Sequence, residues 1–335
     1  MNRFRTVPIA LAGALLLGAC DIPTEAPILE QRWVIPVEKT TLGVDELLPD
    51  GVTVVGSNFS VSVDPFTNNE TLNILCASCG ALNGLSTPVP AFNGSFSLSG
   101  GLPADVSATV ISSGAISIQI QNGFSFDPIA GGGSLTVTLR DGPGGAQLGQ
   151  TVFSGSLPAN GTTTQSIAIS SATIGATLFA SIDVTSPGGQ VATMDISERL
   201  TATATTTSLL GSSVTVNVAS QAVDLDPVDL DVEDIDADLT NHIISGSVIL
   251  DVVNPFGVSI SGTINIGPTA KSLAISANGT SQVTISYTGE ELRSFLGQAN
   301  VQFSGSGTAS GGSVTVSPGQ EMSIEATLDF TISIG

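Results

Sequence analysis

Apolar and polar residues alternate with a period of two along much of this chain. Ile116, Ile118 and Ile120 are interleaved with Ser117, Gln119 and Gln121. Leu135, Val137 and Leu139 alternate with Thr136 and Thr138, and Val214, Val216 and Val218 with Thr215 and Asn217. The pattern returns at Ile264 and Ile266, at Val283 and Ile285, and at Val314 and Val316. Successive side chains of an extended strand point to opposite faces, so this pattern predicts strands with one buried and one solvated face. Asn160-Gly161, Gly188-Gly189, Asn278-Gly279 and Gly311-Gly312 punctuate them as turns. Helix is scarce. One candidate runs from Glu290 to Leu296, with Thr288 as cap, Glu291 three residues on and Gly297 as stop. A second, shorter one is Val44 to Leu48, before Pro49. The fold class expected is all-β: tandem antiparallel β-sandwich units with very little helix.

Two stretches repeat one another. Ala104-Asp105 followed by Ser113-Gly114 resembles Ala237-Asp238 followed by Ser245-Gly246. Each glycine is followed, eight residues later, by an asparagine, Asn122 or Asn254, and then by Phe124 or Phe256. Ala159-Asn160-Gly161-Thr162 matches Ala277-Asn278-Gly279-Thr280. The spacing between landmarks is shorter in the second copy, which predicts an extra hairpin or loop near Asp141 to Gln150 in the first. The copies are expected over residues 104–209 and 237–335. The whole chain then divides into a signal (1–19), a tether (20–31), N-terminal strands plus a first sandwich (32–209), acidic linking strands (210–236) and a second sandwich (237–335).

Val252-Val253-Asn254-Pro255-Phe256, an alternating strand, and the Ala277-Asn278-Gly279-Thr280 turn resemble the LEA-14/WHy type of β-sandwich. The first copy departs from that pattern, with Gly123 where proline is expected. The resemblance implies a fold and carries no catalytic residues.

The N-terminus reads as an address. Arg3 and Arg5 precede an apolar run from Val7 to Ala19, too short to span a bilayer as a helix. Leu17-Gly18-Ala19-Cys20 then resembles the lipobox of bacterial lipoproteins. The resemblance implies cleavage before Cys20, a diacylglycerol on its thiol and usually an acylated amine. Each buried CH₂ of acyl chain contributes about 0.8 kcal/mol, so several chains anchor durably. The expected location is the cell envelope, with the outer membrane favoured over the inner. Pro23, Glu25, Pro27 and Glu30 suggest an extended tether.

Charge narrows the partners. The chain has 335 residues and a net charge of −21. Loss of the signal would leave six basic against 29 acidic residues, near −23. Such a surface repels nucleic acid and anionic lipid. With 41% hydrophobic residues the chain can bury a core, and its one Trp and one Tyr do not supply the aromatic girdles of a transmembrane barrel.

Candidate chemistry is thin. His242 is the single histidine, its neighbours Asn241 and Ile243 carry no motif, and no Gly-x-Ser-x-Gly occurs. A zinc site needs three or four ligands, more than His242, Cys76 and Cys79 provide once Cys20 is lipidated. Cys76-Ala77-Ser78-Cys79 would close a disulfide in an oxidising envelope. A redox pair or free thiols are the alternatives, although Gly80, Asn83, Gly84 and Pro88 argue for a loop where redox chemistry wants a helix. Acids Asp224, Asp226, Asp229, Asp231, Glu233, Asp234, Asp236 and Asp238 form the most unusual segment. Their parity against Val223, Leu225, Val228, Leu230, Val232 and Ile235 flips twice, near Pro227 and at Glu233-Asp234. This predicts two bulges or breaks. Clustered carboxylates can bind calcium, but the spacing lacks the glycine-containing EF-hand loop, and a charged edge that deters strand pairing is the simpler expectation. Paired carboxylates for glycoside hydrolysis would want aromatic platforms, and aromatics are 4% of the chain. The sequence therefore implies no enzyme, no cofactor and no metal. The expected role is binding or structural, with a protein partner or hydrophobic ligand possible. The alternative is a carrier of a hydrophobic ligand or lipid.

Overall fold

The computed structural model describes residues 28–37 and 39–334. Strand makes up 64% and helix 7% of the chain, in antiparallel sheets that form sandwich-like units. In the first sandwich one sheet has the order β11 (Thr162–Gly175), β8 (Val106–Asn122), β14 (Arg199–Val218) and β5 (Phe66–Thr71). The facing sheet has β10 (Gln147–Ser154), β9 (Ser134–Asp141), β12 (Thr177–Ser186) and β7 (Phe92–Gly101). The second sandwich repeats both orders. One sheet is β19 (Gly279–Thr288), β16 (Ile243–Asn254), β22 (Glu321–Ile334) and β1 (Leu29–Pro36). The other is β18 (Thr269–Ile275), β17 (Ser259–Ile266), β20 (Val301–Ser310) and β15 (Gln221–Leu230).

The remaining strands cover free edges. β2 (Thr40–Gly43) continues the line of β1 along β22. β4 (Asn58–Val61), paired with β3 (Val52–Val55), and β21 (Gly312–Val316) follow β5 along β14. β6 (Ser86–Pro88) and β13 (Val191–Thr193) form a small ribbon.

Register fixes how the two sandwiches are stacked. Val106 at the start of β8 lies beside Val216, and Asn122 at its end beside Leu200. β14 runs back from there, and Val218 accepts a hydrogen bond from Gly311 N–H at 2.9 Å, between β20 and β21. β16 starts at Ile243, beside Ile332 near the end of β22, and runs towards Asn254. Its far corner touches β21, since a Cβ on Gly257 would lie 3.3 Å from Val314. The sandwiches thus point the same way, end to end. We call the Asn122 end of the first the tip, the meeting region the junction, and the Ile243 end of the second the base.

The alternating residues supply the core. Ile116, Ile118, Ile120, Leu135, Val137 and Leu139 are all fully buried, and Val214, Val216, Ile264 and Ile266 nearly so. Burial of each such side chain stabilises by about 1.5–3 kcal/mol. These residues belong to one continuous cluster that spans both sandwiches.

The repeated asparagines are corner pins. Both are fully buried. Asn254 accepts the Phe256 N–H on Oδ1 and donates through Nδ2 to Val258 O and Ser276 O, each at 2.9 Å. Asn122 accepts the Phe124 N–H and donates to Phe126 O, Leu157 O and Pro158 O. One side chain therefore satisfies backbone groups of two loops that leave neighbouring strands, groups that would be costly to bury unpaired. The departure at Gly123 has a cause. Its N–H donates to Arg199 O at 2.9 Å, a bond proline cannot make, and a Cβ there would lie 2.5 Å from the same oxygen.

Several expectations from sequence shift. The extra length of the first copy is not an added hairpin at 141–150, because β9–β10 has its counterpart in β17–β18. About half of it is the 123–133 loop, pinned by the Asp127 carboxylate, and the rest is spread over the loops before and after β10. The tether expected over 20–31 ends sooner, since β1 begins at Leu29. The N-terminal strands do not all join the first sandwich: β1 and β2 complete the second, because β22 offers them its free edge. The stretch 210–236 is not a separate connector. Its start continues β14, and β15 is an edge strand of the second sandwich.

Among the described residues, helix is confined to α1 (Leu72–Leu75), α2 (Ala237–Thr240) and α3 (Gly289–Arg293), with 3-10 turns at Val44–Leu47 and Ala77–Leu82. α3 begins with the expected capping box between Thr288 and Glu291 and is followed by Gly297 in the left-handed region (φ 76°). The 44–48 candidate is the first of the 3-10 turns.

Replacing either corner asparagine by alanine strands several buried backbone groups. Asn122→Ala and Asn254→Ala are each expected to lower unfolding stability by about 3 kcal/mol, read from urea denaturation midpoints. A loss below about 1 kcal/mol at both positions would contradict the pinning role.

Candidate functional site

The two ends of the stack carry the residues that the sequence singles out. At the tip, Cys76 and Cys79 are joined by a disulfide. It lies between α1 and the Ala77–Leu82 turn, and Cys79 N–H donates to Cys76 O at 2.9 Å. Both sulfur residues are buried, which denies a nucleophilic thiol the exposure that redox exchange needs. α1 rests on β7 so closely that a Cβ on Gly94 would lie 2.6 Å from Leu75 O. Nearby in the chain, Ile74, Leu85 and Val191 are exposed on the same cap of short elements.

The tip also holds a buried carboxylate that sequence reading missed. Asp127 Oδ1 accepts the N–H groups of Ile129 and Ala130, and Oδ2 accepts Ser156 Oγ and Leu157 N–H. Gln190 brackets its backbone, accepting from Asp127 N–H and donating to Asp127 O. Four donors on one carboxylate fasten the 123–133 loop and leave no lone pair aimed at a ligand. The Asp-Pro step at 127–128, with three glycines following at 131–133, was the available signal for such a turn.

At the base, the acidic segment divides as its parity foretold. The β15–β20 register shifts between Leu225 and Val228, where Pro227 cannot donate to the ladder. The strand ends at Leu230, before the second parity flip. Asp224, Asp226 and Asp229 are exposed on the edge strand, and Asp231, Glu233, Asp234, Asp236 and Asp238 on the turn and α2 that follow. Among the described residues no three His, Cys, Asp or Glu side chains gather as metal ligands. His242 is exposed, and its Nδ1 sits 2.7 Å from the backbone carbonyl of Asp238. The contact joins it to the end of α2, not to a hydroxyl or thiol nucleophile.

α3 organises a small charged cluster above the base. Lys271 Nζ donates to Glu291 Oε1 at 2.6 Å and lies 5.1 Å from the centre of the Tyr287 ring. The Lys271 bond and the Thr288 N–H hold the Glu291 carboxyl below the usual carboxylate range. Tyr287 is buried against Phe295. Burial, then the negative charge of Glu291, pushes its phenol up to about 12. A phenol so poised stays neutral across physiological pH and is no general base.

Arg32 of β1 grips Asp329 of β22 with two bonds, at 2.8 and 2.5 Å. The Asp329 carboxyl is held below its ordinary value chiefly by that bond. The pair crosses a shallow surface groove of about 380 Å³ with Ser245, Ser247, Thr284, Ser286 and Thr331 around it. Between the sheets of the second sandwich, the cavity lined by Val223, Leu225, Ile260, Leu273, Ile275 and Met322 measures about 10 Å³. That is at the lower limit for a single water.

Cys20, the lipidation candidate, lies outside the described residues. No helix among the described residues is long and apolar enough to cross a membrane, which says nothing about strands. No family model matches the chain, and no curated protein does. Among solved structures, a protein of Parabacteroides distasonis ATCC 8503, inferred to be secreted, aligns over 90% of this chain and 99% of its own, with 9% identity and a TM-score of 0.34. The STIV MCP aligns over 79% and 96%, with 8% identity and a TM-score of 0.16. Scores this low do not establish a common fold.

Two outcomes test these assignments. Tyr287 is the single tyrosine, so its ionisation reads directly in tyrosinate absorbance. Folding favours the neutral phenol. Its contribution is therefore full below the unfolded value of about 10 and is lost as pH rises through the folded value of about 12. Native protein should titrate near 12 and urea-unfolded protein near 10, and coincident curves would refute the burial. The Cys76–Cys79 disulfide closes only a short loop, so its reduction should cost only about 2 kcal/mol, seen as a modest drop in Tm with dithiothreitol.

Proposed function

We propose that this chain is a membrane-anchored lipoprotein of the cell envelope, the outer membrane favoured, whose two sandwiches bind or scaffold and do not catalyse. The observation that carries the reading is the ordered run of Arg3 and Arg5, the Val7–Ala19 apolar stretch and Leu17-Gly18-Ala19-Cys20. The Cys76–Cys79 disulfide supports it, because such bonds persist in oxidising compartments. So does the position of β1, which starts nine residues after Cys20 and leaves a short link between anchor and fold.

The non-catalytic half of the reading draws on the site geometry. His242 contacts a backbone carbonyl, Tyr287 is locked neutral, and Asp127 is saturated by backbone and Ser156 donors. The inter-sheet cavity of about 10 Å³ weighs against a carrier that would hold its ligand between the sheets of the second sandwich. Ligand pockets run to about 300 Å³ or more. The exposed acids around the base disfavour nucleic acid as a partner.

The test is the anchor. Cys20→Ser should move the protein from the membrane to the soluble fraction of the envelope, and intact mass should drop by the acyl groups. Unchanged fractionation and mass, or a mature chain that still begins at Met1, would refute the lipoprotein reading.

A further inference from the structure

The base of the second sandwich collects three features that no catalytic or ligand site explains. The chain enters the fold there: Leu29, the first residue of β1, pairs with Ile334, the last of β22. Exposed large apolar side chains gather at the same end. Ile28 is 70% exposed, Leu29 65%, Ile244 48% and Ile334 44%. They are close by register, because Ile243 pairs with Ile332 and Ser333 N–H donates to His242 O at 2.8 Å. Finally, seven residues lie between Cys20 and Ile28, a span of eight residue steps. At 3.3–3.6 Å each those steps reach at most about 29 Å.

We propose that this end seats on the lipid surface that holds the anchor, with Ile28, Leu29, Ile244 and Ile334 at the contact, so that the disulfide-capped tip stands farthest from the bilayer. The inference rests on the lipoprotein reading above and adds an orientation to it. The kind of lipid follows from charge. Asp231, Glu233, Asp234, Asp236, Asp238 and Glu290 are exposed around the base. The cations that face them are few: Lys271 is paired with Glu291, and Arg293 donates to Ile243 O at 2.9 Å. Such a rim repels anionic headgroups and is tolerated on zwitterionic ones. The stack then projects outward. β14 has 20 residues. At about 3.3 Å per residue it separates the tip from the junction by a contour of about 65 Å.

The test uses the full, lipid-anchored protein in phosphatidylcholine vesicles with an acceptor dye in the headgroup region. A donor is attached by maleimide to Asn241→Cys at the base or to Ala159→Cys at the tip, both exposed positions. The disulfide and a thioether-linked Cys20 leave the introduced thiol as the reactive one. Transfer from the base label should exceed transfer from the tip label at least five-fold. Leu29→Asp with Ile244→Asp should lower base transfer at least two-fold while the anchor keeps the protein on the vesicles. Equal transfer from the two labels, greater transfer from the tip, or base labels that quench one another in place of the lipid acceptor would each overturn the orientation. Maleimide uptake by the unsubstituted chain, with no vesicle association, would instead overturn the lipoprotein reading.

Discussion

The second sandwich is completed by a strand from the opposite end of the chain. β1 pairs with β22 along its whole length, and Arg32 reaches Asp329 across a sequence separation of 297 residues. Trp33 stacks on Phe330 inside the same pair, with ring centres 6.3 Å apart. Everything at the base depends on this closure, because β22 also carries β16 on its other edge and β2 beyond β1. A contact of such long range has to offset the loop-closure entropy of nearly the whole chain. The cost is met by a continuous ladder, a stacked aromatic pair and a bidentate ion pair, not by any one of them.

The same logic explains why the two sandwiches share a plan. In each, one long strand carries the unit's own inner strand on one side and N-terminal strands on the other: β14 holds β8 and β5, β22 holds β16 and β1. In each, a buried carboxamide ties the corner where the inner strand turns. The repeat preserves the groups that would be expensive to leave unpaired, while loop lengths drift. The first copy's longer loop needed its own fastening, and Asp127 provides it.

Much of this architecture was legible because a half-buried strand writes its two faces into alternate residues. Ile116 to Ile120 and Val214 to Val218 needed no further context. The parity flip near Pro227 located a real register shift, since a strand cannot change faces without breaking its ladder. The Asn122 and Asn254 pairing was visible as a repeat, although its hydrogen bonds were not. What the sequence hid was partnership at a distance. Nothing local in Leu29–Pro36 says that it pairs with the last strand and not with its neighbours. Tyr287, Lys271 and Glu291 meet only because β18, β19 and α3 are brought together by the fold. Cys76-x-x-Cys79 could be read as disulfide, redox pair or thiols, and only its burial under the cap separates these.

The difference between Gly123 and Pro255 sets how closely each corner meets the strand beside it. At the second corner the proline lacks a donor, and the first sandwich lies above it. At the first corner the glycine gives its N–H to Arg199 and lets that backbone pass within contact distance. One residue without a side chain thus lets β14 close directly on the corner where β8 ends.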